Sequence, residues 1–144
     1  MKLTHAAFAA LAMGMTGMMT VAPVFAQTTF AQQAAFATSG DFVKKSKKLK
    51  GSWSVVERDG KTFIVFADDF RAAKGPDLKI FLSPKNVADA TGKNAVDGSL
   101  NIGELKQTKG AQEYEVPAGV DLSTYGSVLV HCEAYSVLWG GGDL

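Results

Sequence analysis

The chain has 144 residues, with 15 Lys plus Arg against 14 Asp plus Glu, two histidines and one cysteine. This length suits one domain around one core, and the balanced charge gives no electrostatic footprint for nucleic acid or a membrane surface. A single cysteine excludes an intramolecular disulfide, and the absence of C-x-x-C-H excludes covalent attachment of c-type haem.

Residues 1–26 read as a cleavable signal peptide. Lys2 supplies the positive start, 6–21 is apolar and rich in Met and Ala, and Val24-Phe25-Ala26 places small residues where a signal peptidase reads. Cleavage before Gln27 removes all five methionines, His5 and Lys2, leaving 118 residues with one histidine, one cysteine and fourteen charges of each sign. The product is expected to be exported, periplasmic or secreted, and without a membrane span, since no later apolar run is long enough. No cysteine lies near the cleavage site to carry a lipid anchor.

Residues 27–40, rich in Gln, Ala, Thr and Ser, are expected to form a flexible lead-in to a domain over 41–144. Five lysines follow within 44–50. They read as a solvated strand edge that discourages pairing between molecules, or as a docking patch for an acidic partner. The segments 52–57 and 61–67 are rich in Val, Ile, Phe and Trp, and Asp59-Gly60 between them predicts a hairpin with a tight turn. In 77–83, Leu78, Ile80 and Leu82 alternate onto one face of a strand closed by Pro84. A long loop is expected over 86–98, then short strands near 100–102, 105–107 and 112–116. A turn over 117–124 includes a helical piece opened by Asp121. Two strands, 127–134 and 136–139, finish the chain. Fifteen glycines and no sustained helical period give an all-β domain, a small antiparallel β-sandwich preceded by the signal peptide.

Cys132 is the one thiol, and three fates are open to it: an inert buried group, an intermolecular bridge in a Cys132-linked dimer, or a reactive centre. Strand alternation puts Val128, Val130, Cys132 and Ala134 on one apolar face and Ser127, Leu129, His131, Glu133 and Tyr135 on the other. His131 and Cys132 therefore form neither a nucleophilic pair nor a shared metal site. Ser127, His131 and Glu133 are spaced roughly 7 Å apart along one strand face, too far for a hydrogen-bonded triad. One mature histidine cannot build a blue-copper site, and the Cys and His content is too low for structural zinc. Asp68, Asp69 and Asp77 lack calcium-loop spacing. Core packing accounts for most of the aromatic residues, although Tyr135 and Trp139 flank the cysteine in sequence.

Several ordered pieces then carry a family resemblance. They are Gly51-Ser52-Trp53-Ser54-Val55-Val56, Phe66-Ala67-Asp68-Asp69-Phe70, Gly75-Pro76-Asp77-Leu78-Lys79-Ile80-Phe81-Leu82-Ser83, Gly103-Glu104-Leu105-Lys106, Gly110-Ala111-Gln112-Glu113-Tyr114-Glu115-Val116-Pro117 and Cys132-Glu133-Ala134-Tyr135-Ser136-Val137-Leu138-Trp139. Together they resemble the DM13 domain, a small extracellular β domain described as an electron-transfer module. The resemblance implies a redox role centred on Cys132, by reversible thiol oxidation or by ligation of a haem or metal supplied in trans. DM13 domains often accompany haem-binding or oxidoreductase domains, and here the domain is read as standing alone, so any redox partner is expected to be a separate protein, or there is none. Gly75, Pro76 and Asp77, with Tyr135 and Trp139, are the structural motif around that role, Asp77 being expected to satisfy backbone donors. No small-molecule turnover is expected, for want of an acid-base pair. The competing reading is a binding module with a structural cysteine, which contacts its partner through the lysine run and the 86–98 loop. Under the redox reading, Cys132→Ser is expected to abolish function and spare stability.

Overall fold

The computed structural model describes residues 35–144; the expected signal peptide over 1–26 and the expected lead-in up to residue 34 lie outside the described residues. The strands in chain order are β1 (Ala35–Asp41), β2 (Val43–Lys44), β3 (Leu49–Lys50), β4 (Ser52–Arg58), β5 (Lys61–Phe66), β6 (Arg71–Ala72), β7 (Leu78–Ser83), β8 (Leu100–Glu104), β9 (Gln112–Glu115), β10 (Ser127–Cys132) and β11 (Val137–Asp143). Two single 3-10 turns, Leu122–Thr124 and Glu133–Tyr135, are the helical pieces among the described residues. The all-β expectation holds.

One sheet runs β1-β4-β5-β9, a second runs β2-β11-β10-β7-β8, and β3 and β6 form a short ribbon. Every pairing is antiparallel. The predicted hairpin is β4–β5: Arg58 pairs with Lys61, and Asp59 and Gly60 turn the chain at φ 53° and 72°. Two successive positive φ values are what a two-residue primed turn requires.

The inner faces of the two large sheets meet in one core. Trp53, Val55, Ile64, Phe66 and Tyr114 come from the first sheet, and Leu78, Ile80, Leu82, Val128, Val130, Cys132 and Trp139 from the second. Phe66 is its aromatic hub, with ring centroids 4.8 Å from Phe42, 4.8 Å from Phe70 and 5.2 Å from Tyr114. The far side of the second sheet is buried as well. Phe81, Leu129 and Leu138 pack there against Val87, Ala90 and Ala95 from the 86–98 loop. That loop covers the sheet with these residues while Asn86, Ala88, Asp89, Thr91, Lys93, Asp97 and Gly98 stay exposed.

Three expectations are corrected. The flexible lead-in ends earlier than 40, because Ala35–Asp41 pairs along β4 as an edge strand. The separate strand near 105–107 is absent: Lys106 N and Gln107 N donate instead to the Tyr114 hydroxyl at 3.1 Å and to Gln112 Oε1 at 3.2 Å. The last strand runs on to Asp143 through Gly140-Gly141-Gly142. A Cβ on Gly142 would stand 1.9 Å from Trp53 Nε1, so the core indole needs a glycine there.

Candidate functional site

Cys132 is the last residue of β10, a central strand, paired with Leu78 on one side and Val137 on the other. Its side chain has no exposed surface and belongs to the core between the sheets, on the face of Val128 and Val130 as alternation predicts. Past Cys132 the chain leaves the core abruptly. Glu133, Ala134, Tyr135 and Ser136 are all exposed, with Ser136 in the left-handed region at φ 49°. Ala134 therefore does not continue the apolar face. The thiol is one residue from solvent along the chain, yet sealed from it.

His131 points the other way and is also buried. Its Nε2–H donates to the Gly92 carbonyl at 2.8 Å, and Phe81 meets its ring edge-on at 6.0 Å between centroids. Its Nδ1 is buried with no hydrogen-bond partner among the described residues. A Cβ on Gly92 would stand 2.0 Å from Ser136 O. Gly92 thus lets the cover loop approach the Glu133–Tyr135 turn closely while it accepts the imidazole.

The Gly75-Pro76-Asp77 segment lies against the same turn. Glu133 N donates to Asp77 O at 3.0 Å, and Lys79 Nζ bridges the carboxylates of Asp77, at 3.3 Å, and Glu133. The hydrogen bond to Glu133 holds the Lys79 ammonium above its ordinary pKa. The Asp77 side chain therefore serves Lys79, and its backbone carbonyl, rather than its carboxylate, satisfies the neighbouring N–H. Gly75 is pressed by Trp139: a Cβ there would lie 2.9 Å from Cζ2 of the indole. Trp139 Nε1 donates to Ala73 O at 3.0 Å. Trp139 is also the extra residue where β11 bulges, since Val130 pairs with Gly140 and His131 with Leu138. The bulge leaves Leu138 in the outer layer and Trp139 in the core. Tyr135 is separated from both, 70% exposed on the turn.

Gly75, Pro76, Asp77, Trp139 and Cys132 thus gather at one end of the second sheet. Sequence reasoning missed Lys79 and Glu133, which are 54 residues apart and meet only because His131 pairs with Lys79 in the β7–β10 ladder. Gly92 was missed for the same reason. Asp68 and Asp69 do not join Asp77. Asp69 accepts from Ser52 N at 2.9 Å and Ser52 Oγ at 3.1 Å, which lowers its pKa. Among the described residues no three His, Cys, Asp or Glu side chains converge on a metal position.

A family model described as electron transfer DM13 matches residues 41–141. The chain belongs to the DM13 family. The match runs from β2 into β11 and so takes in the second sheet except for Gly142 and Asp143, together with Cys132 and the Gly75-Pro76-Asp77 segment. No curated protein and no solved structure matches this DM13 chain.

Proposed function

We propose that this protein is an exported DM13 redox accessory that works with a separate redox partner protein and uses Cys132 as its exchanging group. The observation that carries this reading is the position of Cys132. The only thiol of an electron-transfer family member closes a central strand at the point where the chain turns out into solvent.

In this reading the Glu133–Tyr135 turn opens locally, releasing Lys79 from Glu133 and Glu133 N from Asp77 O, while the sandwich stays folded. The exposed Cys132 thiol gives up its proton and attacks a disulfide of the partner. A new bond forms between the Cys132 sulfur and one partner sulfur, the partner's S–S bond breaks, and the other partner sulfur leaves as a thiolate and takes up a proton. Cys132 is thereby oxidised and the departing sulfur reduced. A haem or metal brought by a partner would need the same opening before it could meet the sulfur. A Cys132-linked dimer would need it twice.

Complete burial of Cys132 in apolar surroundings favours the second reading, a binding module whose thiol is a core residue. Reaction with a chromogenic disulfide reagent separates the two. The redox reading expects slow labelling of folded protein at a rate that low urea hardly changes, the signature of local opening. Labelling whose rate climbs with urea in proportion to global unfolding would leave Cys132 a core residue and overturn the proposal.

A further inference from the structure

The lysines of 44–50 are joined in the fold by basic residues from two distant segments. Leu49 is buried, so Lys48 and Lys50 on either side of it face outward. Lys50 lies opposite Arg71 in the β3–β6 ribbon, and Arg71 is bridged in turn to Lys109. Cross-strand partners share a face, so three cations stand in a row. Ala73 N donates to Lys48 O at 2.8 Å, which brings the exposed Lys74 beside them.

This arrangement costs stability, because like charges directly opposite one another repel. No ion pair among the described residues cancels it, although the Asp69 carboxylate lies near Arg71. None of Lys47, Lys48, Lys50, Arg71, Lys74 and Lys109 has an ion-pair partner among the described residues, whereas Arg58, Lys61 and Lys79 are paired with Glu113, Glu115 and the Asp77–Glu133 couple. Arg71 spends its guanidinium on the carbonyls of Asp68 and Phe70 at 2.7 and 2.6 Å. Of the two carboxylates at the ribbon's edge, Asp69 is engaged by Ser52 and Asp68 stands alone. In a chain of balanced charge, six cations without an ion pair therefore cluster on and around one ribbon, while Lys44, Lys45, Lys85, Lys93 and Lys106, also without one among the described residues, lie outside it.

We infer that this ribbon is a docking surface for an acidic protein. Its apolar residues Leu49 and Ala72 turn toward the core, which leaves no inserting side chain of the kind a membrane-binding basic face carries. Its underside meets the site already described: Lys48 O accepts from Ala73 N, and Ala73 O accepts from the Trp139 indole, which shares the core with Cys132. A partner seated on these cations is placed against that end of the sandwich. The inference rests on the proposed redox reading only for what the partner does there; the surface itself is independent of the thiol.

The test is binding of the full exported chain to immobilised poly-L-glutamate at graded salt, with phosphatidylglycerol vesicles run in parallel. K50E/K109E is expected to lose about tenfold or more in affinity for poly-L-glutamate. K85E/K93E, the same charge change elsewhere, is expected to bind as the unaltered protein does. The thermal midpoint of K50E/K109E should stay level or rise, since the row of like charges is broken; this separates lost docking from lost folding. Equal loss in both double variants would reduce the effect to net charge and overturn the inference. Tighter binding to the vesicles than to poly-L-glutamate would overturn it in favour of a lipid surface. Because no step involves the thiol, either result leaves the Cys132 labelling experiment untouched.

Discussion

Cys132 and His131 are consecutive, buried, and committed to opposite layers of the molecule. The thiol packs between the two sheets, and the imidazole donates to Gly92 O beneath the cover loop. The division follows from strand alternation and holds because β7 pairs with β10 without a register break, Lys79 opposite His131 and Leu78 opposite Cys132. It rules out cooperation between the two side chains. In the proposed reading, chemistry at Cys132 comes from outside, by opening of the Glu133–Tyr135 turn.

The first prediction concerns how Cys132 should be removed. Serine puts a hydroxyl among the apolar side chains of the core, at a cost of about 1–3 kcal/mol if it finds no acceptor. Alanine leaves a small void costing roughly 1–2 kcal/mol. Urea unfolding should therefore show Cys132→Ser at least as destabilised as Cys132→Ala, contrary to the expectation that serine spares stability. Function is to be judged with alanine.

A second prediction tests the turn itself. Lys79→Met removes the cation that joins Asp77 to Glu133, so folded-state labelling of Cys132 should speed up a few-fold relative to the unaltered protein. Rates are normalised to the unfolded thiol at each pH. The Lys79 pKa is raised by its hydrogen bond to Glu133, so its contribution is complete below the ordinary 10.5 and disappears as pH rises through the folded value. The ratio between the two proteins should be flat from neutral pH up to about 10 and shrink above 10.5. A ratio of one at neutral pH would show that the ion pair does not hold the turn.

Local sequence signals carried much of this architecture. Asp59-Gly60 announces its own turn, Leu78, Ile80 and Leu82 show their shared face, and Asp121 caps Leu122–Thr124 as its side chain accepts from Ser123 N. Long-range packing explains what stayed hidden. The three glycines of β11 depress strand propensity, yet Gly142 is needed where Trp53 lies against the strand. The 86–98 loop has polar composition and no period, because its few apolar residues act singly as a lid over Phe81, Leu129 and Leu138. For the site, Cys132 and its facing were legible, as was the Gly75-Pro76-Asp77 segment. The partners of that segment were not, since Lys79, Glu133 and Gly92 acquire their meaning from pairings across tens of residues.

Gly92 supplies a third prediction. Gly92→Ala would set a methyl 2.0 Å from Ser136 O, a backbone atom that cannot swing aside. The loop must retreat, giving up the His131–Gly92 hydrogen bond and some of the packing of Ala90 and Ala95. A loss of about 1–3 kcal/mol is expected, with faster proteolytic nicking inside 86–98 under native conditions. Unchanged stability and nicking would show that the loop is not seated by this contact.

The last prediction is an alkaline transition that belongs to Tyr114. Its hydroxyl donates to Gln112 Oε1 at 2.7 Å and accepts from Lys106 N at 3.1 Å, and burial pushes its pKa from 10.0 up to about 12. The unfolded chain loses this proton first, so the folded state binds more protons between those values and stability falls as pH rises through them. The loss amounts to roughly 2 kcal/mol across that window. Tyr114→Phe should be less stable at neutral pH by about 1–2 kcal/mol, because Gln112 Oε1 loses a donor and Lys106 N an acceptor. The gap between the two proteins should then narrow above pH 10. Urea midpoints measured from pH 7 to 11.5 decide it; parallel curves would mean that the phenol ionises equally in both states and that its burial does not govern the alkaline limit of the fold.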